Sequence, residues 1–235
     1  MRNSLIITLL IISTFSCNND EGIENKNLNN FTEKFDSQNH LDTFWKDASQ
    51  NESPQSYHLE NNNLKITTRA NLYDRVKIQT KKTNFSIGSY TWKVYVPKYN
   101  LNEQCSIGAF LYNDDNHELD FEIGSGTNQL RAELNAQSND MVIYCTSQGF
   151  PFSSNQFLIQ SEAWHNLKIE LSKGENNNYL VKWYINSDLV KTLQTNFQYD
   201  IGFGIYNSLE NLNFMGDFLP VVENYTLFDS FYFEE

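Results

Sequence analysis

Short segments with the composition of β-strands recur along most of this chain, and they limit its fold more than any other feature. They are rich in β-branched and aromatic residues and are bounded by Asn, Gly, Ser or Pro. No segment keeps a helical period, apart from one possible turn at 41–46. Closely spaced strands without alternating helices predict an all-β sandwich of antiparallel sheets. The predicted strands are 64–69, 75–80, 89–96, 106–112, 118–123, 129–134, 141–146, 166–171, 179–185, 201–206 and 225–233.

One of these strands, within HELDFEIGSG at 117–126, alternates acidic and apolar residues. Successive side chains of a strand point to opposite faces, so the acids share one face and the apolar residues face a core. Like charges on one face repel, so a purely structural strand gains nothing from them. The pattern predicts a reaction centre; the alternative is an edge strand whose acids prevent aggregation. The three acids are Glu118, Asp120 and Glu122.

Glycosidic bond cleavage is the chemistry that such a row of acids favours, because it uses two carboxyl groups that flank the bond. A third acid between them can raise the pKa of one neighbour and hold the other by a hydrogen bond. On a flat strand Glu118 and Glu122 would lie about 13–14 Å apart at the backbone. Retaining catalysis needs carboxyl groups about 5–5.5 Å apart. We therefore expect a concave, curved sheet that brings the two side chains together.

Length and charge limit the number of domains and the classes of partner that the chain can have. The 235 residues, of which 40% are hydrophobic, suit a single large β domain, and we predict a monomer. A formal charge of −12 argues against nucleic acid and against an anionic membrane surface as partners. It also disfavours a densely sulfated or uronic-acid substrate.

The first 30 residues predict export and anchoring. Arg2 precedes a short apolar run at 5–12, which is too short to span a bilayer, and TFSC at 14–17 follows. This arrangement resembles a bacterial lipoprotein signal, which implies a signal peptide at 1–16, lipidation of Cys17 and a location in the outer membrane, exposed at the cell surface. The polar segment 17–30 predicts a disordered tether, and its start resembles the acidic tether of Bacteroidetes lipoproteins. An ordinary secreted protein cleaved nearby is the alternative.

The remaining cysteines and the histidines predict no metal centre. Cys105 and Cys145 are either a disulfide or two buried thiols, and the four histidines are scattered. No cofactor is predicted. A structural Ca²⁺ on the convex side of a jelly roll is compatible with the sequence, but no binding loop identifies its ligands.

Several segments in collinear order carry a family resemblance. They are GSYTWKVYVP at 88–97, GAFLYNDD at 108–115, HELDFE at 117–122, AWHNLKIEL with YLVKWYINSDLVKT within 163–192, FGIYNSLENLNFMGDF at 203–218 and NYTLFDSFYFEE at 224–235. Together they resemble family 16 glycoside hydrolases of the laminarinase, lichenase and agarase type over about 31–235. HELDFE is similar to the signature of that family in its form without a β-bulge.

The resemblance implies a fold, a reaction and roles. The fold is a concanavalin A-like jelly roll of two curved antiparallel sheets, formed by a single domain at 31–235. The reaction is retaining hydrolysis of internal β-linkages in a polysaccharide, a β-glucan or a galactan. By the same resemblance Glu118 is the nucleophile, Asp120 the assisting acid and Glu122 the general acid/base. Tyr112-Asn113 stands where many members have Trp, and Ser187-Asp188 where Asp-Gly usually turns the hairpin.

Further residues are candidates for contacts with sugar rings, which stack on aromatic faces and bind planar polar side chains. Arg131 and Glu133 are expected to alternate on the strand after the acidic one, where they would fix Glu122 or reach the substrate. His165 is predicted to be a structural histidine. The aromatic and amide candidates are Tyr112, Tyr144, Tyr206, Asn207 and Trp45, whereas Trp92, Trp164 and Trp183 are predicted to be core residues.

Three other functions stay open. A non-catalytic carbohydrate-binding lipoprotein would keep the aromatic residues but would not need all three acids. A polysaccharide lyase is suggested by RAEL at 131–134, which resembles a strand of alginate lyases, although the partner strand of that family is missing. The third alternative is a structural surface lipoprotein whose site is vestigial.

Overall fold

The computed structural model describes residues 30–149 and 152–235. The segments predicted as signal peptide and tether, together with Cys17, lie outside the described residues except for Asn30. In the described part, two antiparallel sheets pack face to face, so the predicted all-β jelly-roll sandwich is confirmed.

The strands follow one another with short connections. In chain order they are β1 (Asn30–Glu33), β2 (Trp45–Asp47), β3 (Tyr57–Glu60), β4 (Asn63–Thr68), β5 (Arg75–Thr80), β6 (Gly88–Val96), β7 (Cys105–Asp114), β8 (His117–Gly124), β9 (Asp140–Ser147), β10 (Ser153–Gln160), β11 (Ala163–Lys173), β12 (Asn178–Ile185), β13 (Asp188–Gln198), β14 (Gly204–Asn211) and β15 (Asn224–Glu234). The sequence did not predict β1, β2, β3, β10 or β13.

The strands form two sheets, a front sheet and a back sheet. The front sheet has the order β10-β9-β8-β7-β14-β5-β2, so the acidic strand β8 lies near its centre. The back sheet has the order β13-β12-β11-β6-β15-β4-β3, and β1 pairs with β15. Many neighbours in the sheets are distant in sequence, as a jelly roll requires.

In the described part of the chain, two α-helices and a 3₁₀ turn (Glu175–Asn177) lie between strands. The first, α1 (Gln38–Phe44), overlaps the helical turn expected at 41–46. The second, α2 (Asn128–Glu133), replaces the strand predicted at 129–134, which is therefore wrong. Thr127 caps α2, since its hydroxyl accepts a hydrogen bond from the backbone N–H of Leu130 (3.2 Å). The residues that follow, NQLRAE, are mostly strong helix formers, and this local preference decides the conformation.

Alternating side chains from both sheets form the core. Trp92 and Trp183 are fully buried, as predicted. Trp164 is 39% exposed, so its prediction as a core residue is wrong. His165, next in the strand, takes the inward position and is 5% exposed. Its Nε2–H donates to the carbonyl of Gln160 (2.7 Å).

The two later cysteines are separate buried thiols in this core, not a disulfide. Burial raises the pKa of both Cys105 and Cys145, which keeps them neutral. Among residues 30–149 and 152–235, no group of three or more His, Cys, Asp or Glu side chains is arranged to hold a metal ion. Within the same ranges, no helix is both long enough and apolar enough to cross a membrane.

The core also anchors the acidic strand. Leu119, Phe121 and Ile123 are fully buried beneath β8. From the opposite sheet, Trp183 Nε1 donates to the backbone carbonyl of Asp120 (3.2 Å). The pairing of β8 with β9 runs without a register shift from Leu119 to Gly124, so the alternation predicted for a bulge-free strand is confirmed.

Candidate active site

The three acids of β8 open into one cavity on the front sheet. Alternation places them on the face opposite the core, and the cavity has a volume of about 530 Å³. All three carboxyl side chains line it together with Arg75. The structure therefore brings together the three residues that the sequence predicted as a reaction centre: Glu118, Asp120 and Glu122.

Asp120 is the most enclosed of the three, with 1% of its surface exposed. Burial raises its pKa well above the usual value, and the charge of Glu118 raises it further. Hydrogen bonds with the Thr146 and Gln148 side chains lower the pKa, but their effect is smaller. Gln148 Nε2 donates to Oδ2 (3.4 Å), whereas Oδ1 has no hydrogen-bond partner among the described residues. A neutral Asp120 can therefore donate a hydrogen bond to a neighbouring carboxylate.

Glu118 and Glu122 lie in different electrostatic surroundings. Burial, followed by the charge of Glu210, raises the pKa of Glu118 to about 7, although Lys77 and Arg75 oppose the shift. Burial also raises the pKa of Glu122 well above its usual value, and there the next contributions come from other carboxylates, Glu210 first. The hydroxyl of Ser106 donates a hydrogen bond to Glu122 Oε2. One carboxyl group is thus poised to be ionised near neutral pH while the other keeps its proton.

A second cavity of about 220 Å³ adjoins the acids on the side of β14 and β5. Glu118 and Glu122 line both cavities, so open space lies on each side of them. An internal bond of a long chain requires room on both sides, whereas a chain end does not.

Aromatic rings border both cavities. On the first side Tyr144 meets Phe214 edge to face, with ring centroids 5.4 Å apart. Phe214 and Phe152 are 49% and 64% exposed at the rim. On the second side Tyr206 is in T-shaped contact with Tyr112 (5.7 Å). Exposed rings of this kind are suited to stacking on sugars.

The structure places the predicted sugar-contact tyrosines at the cavities: Tyr144 at the first, and Tyr112 and Tyr206 at the second. Tyr206 also stacks on Phe110 with centroids 4.8 Å apart. Tyr112 donates to Asp115 Oδ1 (2.8 Å), and this bond raises its pKa to about 12. Its ring orientation is therefore fixed without a ligand.

Two other sugar-contact candidates are corrected. Asn207 is fully buried and faces the core, because it pairs with Ala109 on β7 and takes the inward position of the alternation. Trp45 is 3% exposed and packs in the core, where its Nε1 donates to Glu33 Oε2 (2.9 Å). Neither side chain lines the cavities described above.

The expected pair on the next strand is also corrected, because Arg131 and Glu133 lie on α2. Arg131 is 8% exposed, and its guanidinium donates to the backbone carbonyls of Ser125, Gln137 and Asp140 at 2.6–2.8 Å. It therefore holds the loop after β8 in place. Glu133 is exposed and accepts a hydrogen bond from Gln129. Neither residue lines the cavity, and no ion pair joins them among the described residues.

Sequence reasoning missed a charged cluster on the same face. Glu210 on β14 accepts hydrogen bonds from Arg75 Nε and from Lys77 Nζ (2.9 Å), both on β5. Alternation in RVKIQT and in YNSLEN gave a signal, since each segment places polar side chains on one face. What the sequence did not give is that β5 and β14 are neighbours. Phe152, Leu212 and Phe214 were missed because they belong to loops.

No protein-family model matches the sequence, and a search of curated proteins gives no match. Solved structures are similar. A Crh5 transglycosylase in complex with NAG is 16% identical, with a TM-score of 0.66 over 88% of this chain and 84% of that one. The β-glucanase of Bacillus licheniformis is 15% identical, with a TM-score of 0.62 over 88% of this chain and 98% of that one.

LamA of Z. galactanivorans, in complex with laminaritriose and laminaritetraose, is 10% identical, with a TM-score of 0.62 over 87% of this chain and 98% of that one. The similar structures include these enzymes and a GH16 protein of Bacteroides ovatus in complex with a mixed-linkage glucan product. At these identities the likeness shows a shared fold, the jelly roll of those enzymes.

Proposed function

We propose that this protein is a retaining, endo-acting glycoside hydrolase that cleaves internal β-glycosidic bonds of a polysaccharide, a β-glucan or a galactan. One observation carries the proposal: three acids of a single strand open into a cleft that has space and aromatic rings on both sides of them. The shared fold with glucanases supports the same class of reaction.

The proposed reaction has two steps. In the first, the Glu118 carboxylate attacks the anomeric carbon while Glu122 gives its proton to the leaving glycosidic oxygen, which forms a glycosyl ester on Glu118. In the second, Glu122 removes a proton from water while the water oxygen attacks the anomeric carbon and breaks its bond to Glu118, which leaves as a carboxylate. Two inversions leave the β-configuration unchanged. Neither step requires a cofactor.

Asp120 supports the proposed nucleophile. Because burial favours its neutral form, Asp120 can donate a hydrogen bond to ionised Glu118 and release it again as the ester forms. Trp183 holds the backbone of Asp120 from the opposite sheet, so the acids keep their spacing. The reaction thus uses side chains that the fold has already oriented.

Purified protein incubated with β-1,3-glucan, mixed-linkage β-glucan and agarose-type galactans tests the proposal. We expect new reducing ends from one class, a rapid fall in polymer length, and products that NMR shows to be β-anomers when first formed. Glu118→Gln should abolish hydrolysis but retain binding in affinity electrophoresis. The matched control is Glu170→Gln, since Glu170 is an ion-paired glutamate on the back sheet.

Each alternative gives a different result. Unchanged activity in Glu118→Gln would refute the nucleophile. Binding without cleavage across the panel would favour the non-catalytic module, and neither binding nor cleavage a vestigial site. Unsaturated products absorbing in the near ultraviolet would favour a lyase.

We also propose that the chain is anchored through a lipid on Cys17, at the outer membrane and facing outward, with the polysaccharide as its partner. The motif TFSC at 14–17 is the support for this. Cys17→Ser should move the protein from the membrane fraction to the soluble fraction. Retention in the membrane would exclude this anchor.

A further inference from the structure

The cluster of Arg75, Lys77 and Glu210 has no part in the proposed two-step reaction, yet it lies in the same cleft. The Glu210 side chain is 2% exposed and that of Lys77 6% exposed. Burying charges costs several kcal/mol per ion, and paired buried charges are often no more stabilising than apolar residues. Stability is therefore a weak reason for three charges in the floor of a cleft.

One row across the strands between this cluster and the acids carries two small residues, Ser208 and Gly108. Lys77 pairs with Ser208, Ser208 with Gly108, and Gly108 with Glu122, in one row across four strands. A Cβ atom on Gly108 would lie 2.3 Å from Ser208 Oγ and 3.1 Å from the ring of Phe110, so a larger residue there would require these side chains to shift. The ring of Phe110 borders this row, with its centroid 5.9 Å from Lys77 Nζ, but the row itself places no bulky side chain between Lys77 and Glu122.

A second connection lies two residues further along β14 and β7. Glu210 pairs with Ser106 on β7, and the Ser106 hydroxyl donates to Glu122 Oε2. Glu210 also lines the second cavity with both Glu118 and Glu122. Two independent paths thus connect the cluster to the proposed general acid.

The charges of the cluster act differently on the two carboxyl groups. Burial favours the neutral form of Glu210, but Lys77 and Arg75 outweigh it and lower its pKa, so Glu210 is ionised. Its negative charge raises the pKa of both Glu118 and Glu122. Lys77 and Arg75 oppose that effect at Glu118, whereas the largest effect of a charge at Glu122 is that of the Glu210 carboxylate.

We infer that Glu210, held between Arg75 and Lys77, is a positioning residue that keeps the proton on Glu122 while the two cations favour the ionised form of Glu118. The inference rests on the proposed function, because it assigns the cluster a role in that reaction. The ionisable groups facing this part of the cleft are Arg75 and Lys77 on β5, Tyr112 on β7, Asp115 after it, Glu118, Asp120 and Glu122 on β8, Tyr144 on β9 and Tyr206 on β14.

Charge-changing variants with opposite signs test the inference. The acid limb of the kcat/KM profile follows ionisation of the nucleophile, and the basic limb follows loss of the proton from the general acid. Glu210→Gln removes a negative charge two strands, roughly 10 Å, from β8. Both limbs should move to lower pH by about one unit, the effect of a unit charge at that distance with an effective dielectric constant of about 20.

Lys77→Met should move the acid limb in the opposite direction, to higher pH. Glu210→Asp keeps the charge and should restore the wild-type profile, which separates charge from packing. Glu170→Gln is the matched control, since Glu170 also contacts two lysines, Lys182 (2.9 Å) and Lys168 (3.6 Å), but on the back sheet. It should leave both limbs in place.

Side-chain ¹³C NMR titration of the carboxyl groups gives a readout that does not depend on activity. The titration midpoints of Glu118 and Glu122 should fall in Glu210→Gln and rise at Glu118 in Lys77→Met, even if the protein cleaves none of the polysaccharides. Shifted midpoints without cleavage would refute the proposed hydrolase activity but support the electrostatic effect of the cluster on Glu118 and Glu122. Unmoved limbs and midpoints, shifts of the same sign in both variants, or Glu210→Asp behaving like Glu210→Gln would overturn the inference.

Discussion

Replacing the proposed nucleophile by its neutral analogue should stabilise the protein, and mainly at high pH. Glu118 has a pKa raised from 4.5 to about 7, first by burial and then by Glu210. The folded state therefore holds a proton on Glu118 that the unfolded chain releases. The contribution of Glu118 to the free energy of unfolding is therefore fully present below about pH 4.5 and is lost as the pH rises through about 7.

The size of the effect follows from the shift. A difference of about 2.5 units corresponds to about 3 kcal/mol at pH 8, since each unit is worth 1.36 kcal/mol. At pH 5 the same linkage lowers the free energy of unfolding by less than about 1 kcal/mol. Glu118→Gln removes the charge and keeps the shape, so it should raise the free energy of unfolding by up to these amounts. For a domain of this size that is roughly 6–12 °C in Tm at pH 8.

Urea denaturation of wild type, Glu118→Gln and Glu170→Gln at pH 5 and pH 8 measures this directly. Glu170 has the opposite shift, because its hydrogen bond with Lys182 lowers its pKa. Glu170→Gln should therefore leave the protein no more stable at pH 8 than wild type. A Glu118→Gln variant that is no more stable than wild type at pH 8, or that gains equally at both pH values, would refute the reasoning.

Three further predictions concern stability and binding. Arg131→Met removes three hydrogen bonds to backbone carbonyls and should lower the free energy of unfolding in urea by about 3 kcal/mol, with KM unchanged. A higher KM without loss of stability would indicate that Arg131 contacts the substrate instead. Asn207→Leu replaces a buried amide without hydrogen-bond partners among the described residues, so it should raise the free energy of unfolding by about 1 kcal/mol and leave affinity for the polysaccharide unchanged. Ser187→Gly should raise Tm, with a gain of about 0.5–1 kcal/mol, because Ser187 has a φ of +77° in the hairpin turn after Asn186; an unchanged or lower Tm would contradict this.

Local alternation determined which parts of the site could be predicted. In β8 the acids and the apolar residues separate cleanly by face, so Glu118, Asp120 and Glu122 could be placed together from the sequence. The same rule applied to β14 would have turned Asn207 inward and Glu210 outward, but the resemblance to a late Asn-bearing strand favoured Asn207. The prediction for Arg131 was wrong for another reason. A six-residue segment with two apolar residues fits either a strand or a helix, and the cap at Thr127 decides between them.

Neighbours across the sheet could not be predicted, because strand order in a jelly roll depends on crossovers that the local pattern does not record. Arg75 and Glu210 are 135 residues apart in sequence and hydrogen-bonded in the structure. Trp45 shows the same limit, since its partner Glu33 lies on β1, a strand without a clear signal of its own. What was missed at the site is therefore mainly what comes from distant strands and loops.

The distinction between the two carboxyl groups belongs to this missing part. A row of three acids on one strand contains nothing that makes the first a nucleophile and the third an acid, since each loses its proton more easily when its neighbours are neutral. The proposed reaction needs one ionised and one protonated group at the same pH. The cations on β5 act on Glu118 and the carboxylate on β14 acts on both, so the asymmetry enters from outside β8. If Glu210→Gln and Lys77→Met leave the pH profile unchanged, the two roles must instead be set within β8 itself, by Asp120 and by the Ser106 hydrogen bond to Glu122.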